Sequence, residues 1–284
     1  ETEGLLTSNP MGEYAQNLSE LINYPYGCLE QVISKVFPQL YYEDLSKMLS
    51  QKPSPLKPDP NTNVQEAVRR IASLQQYNGG LVMWPSGGEV NWWNTAYAGH
   101  FLYEADKAGY TTNPTVSENI NRYLTAMIKQ KPSTAYYFMD EGRWRSRTFS
   151  QREIFYSLYV LALNGKQHIP TMNYYKARLE DLTADSRFML ASAYYLIGDA
   201  GSARQISRYE SKPEGESRRM TGGSYSSPIR DHAISLYTLI SSSPDDPKIP
   251  LLAKQLSEMV RGTKWMSTQE NVFTLLAFGK MAAR

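Results

Sequence analysis

One cysteine and three histidines in 284 residues leave little material for metal or redox chemistry. A lone cysteine forbids an internal disulfide and any cysteine-rich zinc site, so packing alone must hold the fold. His100, His168 and His232 fall in no HExxH or other ligand spacing, and neither a metal nor a cofactor is expected. Charge of one sign is also missing. Thirty Lys and Arg face 28 Asp and Glu, a net +2, which gives no global pull toward nucleic acid. No run approaches the roughly 18 consecutive apolar residues of a membrane span, the longest candidate being Phe155 to Leu163. The chain opens at Glu1 with neither a charged n-region nor an apolar h-region, so it reads as a mature chain or as part of a longer one.

What the sequence does hold is helical periodicity. In the Glu153 to Leu163 segment, Ile154, Phe155, Leu158, Tyr159, Leu161 and Ala162 recur at three- and four-residue spacing, as do Val272, Phe273, Leu275, Leu276 and Phe278 near the end. Similar stripes run through 13–22, 28–48, 62–76, 94–108, 116–130, 171–182, 186–197, 229–241 and 248–260, separated by Pro, Gly and Ser-Pro punctuation. No alternating strand pattern stands out. Helices of one kind begin near Thr95, Ser150, Asp185, Arg230 and Thr268, at gaps of 55, 35, 45 and 38 residues. That spacing suits stacked helix pairs, and 284 residues divide into about six such pairs. A linear stack would carry polar capping repeats at its ends, yet the last helix stays apolar through Phe278, which favours closure into a ring. The expected fold class is therefore all-α, a ring of helix pairs in one domain over residues 11–284. Residues 1–10 form an N-terminal edge that is a candidate for disorder. The proline-rich "QKPSPLKPDPNT" at 51–62 reads as a rigid connector, and "SKPEGESRRMTGGSYSSP" at 211–228 as a mobile loop.

The lone cysteine lies in "NYPYGCLEQ". Cys28 and Gln31 stand at i and i+3, on one face of a starting helix, where the partial positive charge of the terminus is expected to lower the thiol pKa. Attack of the sulfur on the Gln31 side-chain amide, with loss of ammonia, would give an internal thioester. An amine or hydroxyl from another molecule could then take the acyl group and free the thiol. Such a bond survives only where water is kept away. Tyr24 and Tyr26, flanking Pro25, offer large rings with little rotamer freedom for that purpose, and Gly27 permits a tight approach to the helix. The same residues also admit a plain account, with Cys28 a small buried hydrophobe and the tyrosines ordinary packing residues.

"YPYGCLEQ", followed by "FPQLYYEDL", "NGGLVMWP" with "NWWNTAYAGHFL", "YSSPIRDHAISLYTL" and "WMSTQENVFTLLAF", resembles the thioester domain of bacterial alpha-2-macroglobulins, which is related to the complement thioester domain. The resemblance runs from about residue 11 to 284. It implies an α/α toroid, an inner ring of six helices inside an outer ring. It implies that Cys28 is the thiol donor and Gln31 the acyl donor of a thioester cross-link, with Tyr24 and Tyr26 shielding it. Whole members of the family are broad-spectrum protease traps of bacterial defence. Cleavage of a bait region elsewhere exposes the thioester, which couples once to a lysine of the protease, so the domain is not a turnover enzyme. The implied partners are proteases captured covalently and the macroglobulin-like domains of the same full-length chain. The implied location is the periplasm, the cell envelope or outside the cell, with the parent protein a lipoprotein. In some complement-type relatives a histidine first takes the acyl group and passes it to hydroxyls. The corresponding stretch 133–148 holds no histidine, so direct aminolysis is expected.

Two other functions compete. The chain could be a non-catalytic interaction toroid in which no thioester forms. It could also be a glycan-active toroid, with Trp84, Trp92 and Trp93 lining a cleft and Asp140 and Glu141 as acid and base, although adjacent carboxylates rarely face one another. His100, on an apolar stripe, reads as a packing residue, and His232 as a helix-start contact of Asp231. Arg143, Arg145 and Arg147 around Trp144 read as a solvated loop.

Overall fold

The computed structural model describes residues 27–41, 59–209, 219–220 and 223–282. Residues 1–10, the stripe at 13–22 and most of the 51–62 and 211–228 segments lie outside them. Eleven α-helices run in chain order among the described residues: α1 (Leu29–Val36), α2 (Pro60–Leu74), α3 (Trp92–Lys107), α4 (Pro114–Ile128), α5 (Arg152–Leu163), α6 (Ile169–Lys176), α7 (Ala184–Leu196), α8 (Ala200–Arg208), α9 (Pro228–Ser242), α10 (Ile249–Arg261) and α11 (Thr268–Ala282). Their starts follow from local chemistry. Asp59, Asn91, Asn113, Asp199 and Ser227 each accept a backbone N–H of the first turn, and Pro60, Pro114 and Pro228 occupy first helical positions, where no N–H is needed.

The odd-numbered helices form a closed ring. Each packs on the next, from α1 through α3, α5, α7 and α9 to α11, and α11 closes on α1. The even-numbered helices lie outside: α2 on α1 and α3, α4 on α3 and α5, α6 and α8 on α7, and α10 on α9. Burial separates the layers. Ten of the 12 residues of α5 and ten of the 13 of α7 are buried, as a helix covered on all sides requires. In α10 only Ile249, Ala253 and Leu256 are, one stripe at i, i+4 and i+7. The expected all-α toroid is thus observed, with six inner helices and, among the described residues, five outer ones.

The first turns of the inner helices meet at one end of the ring. Trp93 of α3 donates Nε1–H to Oε1 of Gln269 on α11 at 3.1 Å, and Gln269 donates Nε2–H to Glu30 on α1 at 2.9 Å. Arg152 of α5 pairs with Asp185 of α7 at 3.0 Å and with Asp231 of α9 at 3.1 Å. Arg230 reaches Asp185 at 3.4 Å, pairs with Asp231, and lies 4.4 Å over the Trp93 ring. Six aligned helix N-termini concentrate positive dipole ends there. Five of the six helices place a carboxylate in the first turn against them: Glu30, Glu153, Asp185, Asp231 and Glu270. Trp92, whose Nε1–H bonds Ser157 at 2.9 Å, and Trp93 are packing residues between helices, whereas Trp84 is half exposed.

Toward the middle of the ring, His100 is fully buried, with Nδ1 3.0 Å from the Tyr156 hydroxyl and Nε2 3.2 Å from that of Tyr237, which is the packing role expected of it. His232 differs from expectation. Its Nε2 lies 2.9 Å from the Leu252 carbonyl of α10, while Asp231 is taken by Arg152 and Arg230, a stronger charge-assisted pairing. One β element also departs from the sequence reading. Strands β1 (Ser133–Asp140) and β2 (Arg143–Ser150) pair antiparallel across a tight Glu141-Gly142 turn, both residues at positive φ. Most of β2 is exposed and only Phe149 is buried, so no in-and-out alternation marked it in the sequence. Arg143, Arg145 and Arg147 thus stand on a strand and not on a loop, with Arg147 bonding the Glu180 carbonyl and lying over the Phe149 ring. Asp140 ends β1 and Glu141 is exposed in the turn, which gives no enclosed acid and base pair.

Asp185 is shared by two buried guanidiniums, so Asp185→Ala should destabilise the fold by about 3–5 kcal/mol, read from the urea midpoint. Acid should weaken the protein as well. Burial holds His100 and His232 below the ordinary histidine value. As pH falls through about 6.5, the unfolded chain therefore binds protons that the folded chain refuses, and stability drops. Urea unfolding at about pH 7.5 and about pH 5.5 should show that loss, and His100→Gln should reduce it.

Candidate functional site

Cys28 sits at the N-cap of α1 with an extended backbone, φ −70° and ψ 169°. Its backbone N–H donates to Oε1 of Gln31 at 3.2 Å, while the Cys28 side chain faces the backbone N–H of Gln31. This reciprocal arrangement is a capping box built with a thiol and a carboxamide in place of the usual hydroxyl and carboxylate. It folds the Gln31 side chain back over the turn toward the Cys28 backbone. The expected i, i+3 juxtaposition is therefore present. Tyr24 and Tyr26, expected to cover it, lie outside the described residues.

Gly27 makes room for that fold-back. Its φ is +124°, and a Cβ placed there would lie 2.2 Å from Oε1 of Gln31. Leu29 is tied next. Its N–H donates to the Met83 carbonyl at 3.0 Å, which anchors the first turn of α1 to the 75–91 loop. Glu30 is buried and fixes the turn from the other side. Its Oε1 accepts from Ser34 Oγ at 2.7 Å, from Thr268 Oγ1 at 2.8 Å and from Gln269 Nε2 at 2.9 Å. A carboxylate taking three donors is well satisfied away from water. Glu270 holds the start of α11 in a second capping box, accepting from the Ser267 N–H at 2.7 Å while Ser267 Oγ accepts from the Glu270 N–H at 3.2 Å.

The electrostatics of the thiol reverse one expectation. Cys28 is half buried, and its pKa is raised, not lowered. Burial is the largest cause, the N–H of Gln31 opposes it, and the negative charge of Glu30 adds to the rise. The favourable end of the α1 dipole is outweighed by loss of solvent and by the acid two residues on. At neutral pH the sulfur carries its proton and is a guarded thiol.

Sequence reasoning singled out Cys28, Gln31 and Gly27. It missed Glu30 as the clamp to α11, together with Met83, Asn94 and Tyr225 around the turn. Glu30 could have been found, because an acid between Cys28 and Gln31 has to turn away from both on a helix. The other three arrive through tertiary contact and carry no local signal. No cluster of three or more metal-binding side chains occurs among the described residues.

Gly27→Ala should cost about 1–3 kcal/mol through forced backbone strain and collision with Gln31. It should lower the unfolding midpoint in urea while leaving the helical circular dichroism of the native baseline intact.

Comparison with known proteins places this arrangement. A family model described as the A-macroglobulin TED domain matches residues 4–177. Alpha-2-macroglobulin of Escherichia coli K12 is 27% identical over 281 residues, 98% of this chain and 17% of that protein. The crystal structure of native Escherichia coli alpha-2-macroglobulin from domain MG7 to the C-terminus has a TM-score of 0.78 at 25% identity, over 96% of this chain and 43% of that one. Salmonella alpha-2-macroglobulin reacted with methylamine has a TM-score of 0.74 at 26% identity, over 96% of this chain and 18% of that one. The chain spans 17% of the length of its Escherichia coli relative. Since the family model takes in more than half of the sequence, and the ring of helices agrees, the chain belongs to the alpha-macroglobulin thioester-domain family.

Proposed function

We propose that Cys28 and Gln31 close an internal thioester and that the domain uses it once, as an acyl donor to amines. The observation that carries this is the Cys28 N–H on Oε1 of Gln31 at 3.2 Å, inside a turn that also faces the sulfur toward Gln31. In closure, Sγ attacks the amide carbon, its proton goes to the departing nitrogen, and ammonia leaves. The Cys28 N–H stabilises the oxyanion that forms on Oε1 on attack, before it collapses and ammonia leaves. In discharge, an amine attacks the same carbon, the C–S bond breaks, and the thiol is restored as the amide forms. No step regenerates the carboxamide of Gln31, so the site acts once and is not a turnover catalyst.

In the parent protein the amines would be lysines of attacking proteases, presented after cleavage of a bait region outside this chain. The family resemblance supports this reading, and so does the Salmonella relative reacted with methylamine, a small amine of the class an exposed acyl donor would take. Tyr24 and Tyr26 would keep water from the bond beforehand. The stretch 133–148 carries no histidine to pass the acyl group to hydroxyls, and its residues form the hairpin β1–β2, so transfer to lysine amines would be direct. The other macroglobulin-like domains of the same chain would be its standing partners. A periplasmic or envelope location, with a lipid anchor on the parent, fits that role.

Freshly prepared protein should weigh about 17 Da less than its sequence requires, the mass of one ammonia. Methylamine should then add about 31 Da and expose one titratable thiol, and Cys28→Ala should show neither change. Full mass together with a freely titrating thiol in fresh protein would favour a non-catalytic interaction toroid.

A further inference from the structure

In the loop that anchors the Cys28 turn, the residue next to the anchor is an exposed tryptophan. The Leu29 N–H donates to the Met83 carbonyl at 3.0 Å, so the peptide units joining Cys28 to Leu29 and Met83 to Trp84 face each other across one hydrogen bond. With standard backbone dimensions, the path from Cys28 Cα through that bond to Trp84 Cα adds up to about 8 Å, and the two residues can stand no further apart. Met83 turns inward. Its sulfur meets Nδ2 of buried Asn94 at 3.1 Å, and that amide also reaches the Tyr225 hydroxyl at 3.0 Å. Trp84, by contrast, is 49% exposed. Trp92 and Trp93 tie their Nε1–H groups to Ser157 and Gln269, whereas the indole of Trp84 has no partner among the described residues.

The backbone under that indole is firmly held. Leu81 and Val82 are buried, Val82 pairs with Val90, and the N–H groups of Val82 and Asn91 bond the Leu74 and Leu81 carbonyls at 3.2 and 2.9 Å. The Trp84 carbonyl takes the Gly87 N–H at 3.0 Å and closes the tip. The tip itself is bare, since a Cβ on Gly87 or Gly88 would meet no atom within 4 Å. Glu89, exposed and one position in from the pairing of Val82 with Val90, is the only charged residue of the 75–91 segment. An exposed indole with a carboxylate on the same loop suits a cation carried on an alkyl stem. The ring takes the methylenes and the charge, and the acid adds to the attraction.

We propose that Trp84 is a specificity-determining residue of acyl transfer, receiving the alkylammonium of the acceptor beside the Cys28 turn, with Glu89 supplying the neighbouring negative charge. The inference rests on the thioester reading and deepens it. No bond changes in this encounter, and the ammonium gives its proton to water before the nitrogen attacks the Gln31 acyl carbon. A lysine side chain brings a four-carbon stem to the ring. Methylamine brings no stem, and a hydroxyl acceptor brings no charge. Discrimination among acceptors is then set at the loop, apart from the chemistry of sulfur and acyl carbon.

The test compares n-butylamine with methylamine, two amines of nearly equal basicity, as acceptors that release the thiol of the 284-residue chain. Thermal midpoints confirm that each variant folds. The parent should favour butylamine, Trp84→Ala should lower the ratio of the two rate constants by about fivefold, and Trp84→Phe should keep most of the preference. An indole that only kept water out would, once removed, raise both rates together and leave the ratio where it was. Tyr77→Ala, which strips a 96% exposed ring from the same loop, should match the parent. Glu89→Gln should slow both amines by about twofold at low salt, and unchanged rates there overturn the part given to Glu89. Equal rates for the two amines in the parent, or an unchanged ratio in folded Trp84→Ala, overturn the proposal while the parent still shows its mass deficit. Absence of that deficit in the parent overturns the thioester reading and this one with it.

Discussion

The hydrogen bond from the Cys28 N–H to Oε1 of Gln31 exists because its neighbours leave the turn no other shape. Gly27 supplies the room, since any side chain there would occupy the space of the carboxamide. The Met83 carbonyl holds the N–H of Leu29, and Glu30, locked onto Thr268 and Gln269, fixes the rotation of α1 about its own axis. Turning α1 by one residue would swing Glu30 away from Thr268 and Gln269 and carry the Cys28 turn away from its place against α11. The geometry at the site is thus enforced from α11, more than 230 positions later in the chain, through one buried carboxylate.

That arrangement suits the Cys28 turn to a toroid. Closing six helices in a ring brings six N-termini to one end, and each contributes partial positive charge that has to be met. Buried Asp185 and partly buried Asp231 meet it between α5, α7 and α9, with Arg152 and Arg230 restoring balance. At α1 the acid is Glu30, and it is spent on hydrogen bonds to α11. The N–H groups of Cys28 and Gln31 remain free to serve the sulfur and the carboxamide instead of a conventional cap. A ring also makes the turn rigid from both sides, because α1 is the seam at which the last helix meets the first.

Much of this was legible in the residues. Apolar spacing marked the helices, and the starts expected near Thr95 and Arg230 lie within a few positions of the observed Trp92 and Pro228. The apolar last helix announced closure, and i, i+3 spacing placed Cys28 against Gln31. The hairpin 133–150 escaped, because a ribbon exposed on most of its length has no buried face to write a period into the sequence. The sign of the Cys28 shift escaped too. A helix start argues for a lowered pKa, whereas burial and the bearing of Glu30 are tertiary facts. Asn94 and Tyr225 lie 66 and 197 positions from Cys28 and meet its turn only once the ring is closed.

The raised pKa of Cys28 bears directly on how an acyl group could be stored. A sulfur that resists becoming an anion is a poor leaving group, and a bond to a poor leaving group yields slowly to weak nucleophiles such as water. A low-pKa cysteine of the kind found in turnover enzymes would make the bond easier to form and easier to lose. The same resistance would stall a useful amine at the moment the sulfur has to depart, unless a proton arrives with it. Burial at the α1 N-terminus therefore trades speed for lifetime. Release of the acyl group would then depend on a proton reaching the sulfur as the C–S bond breaks.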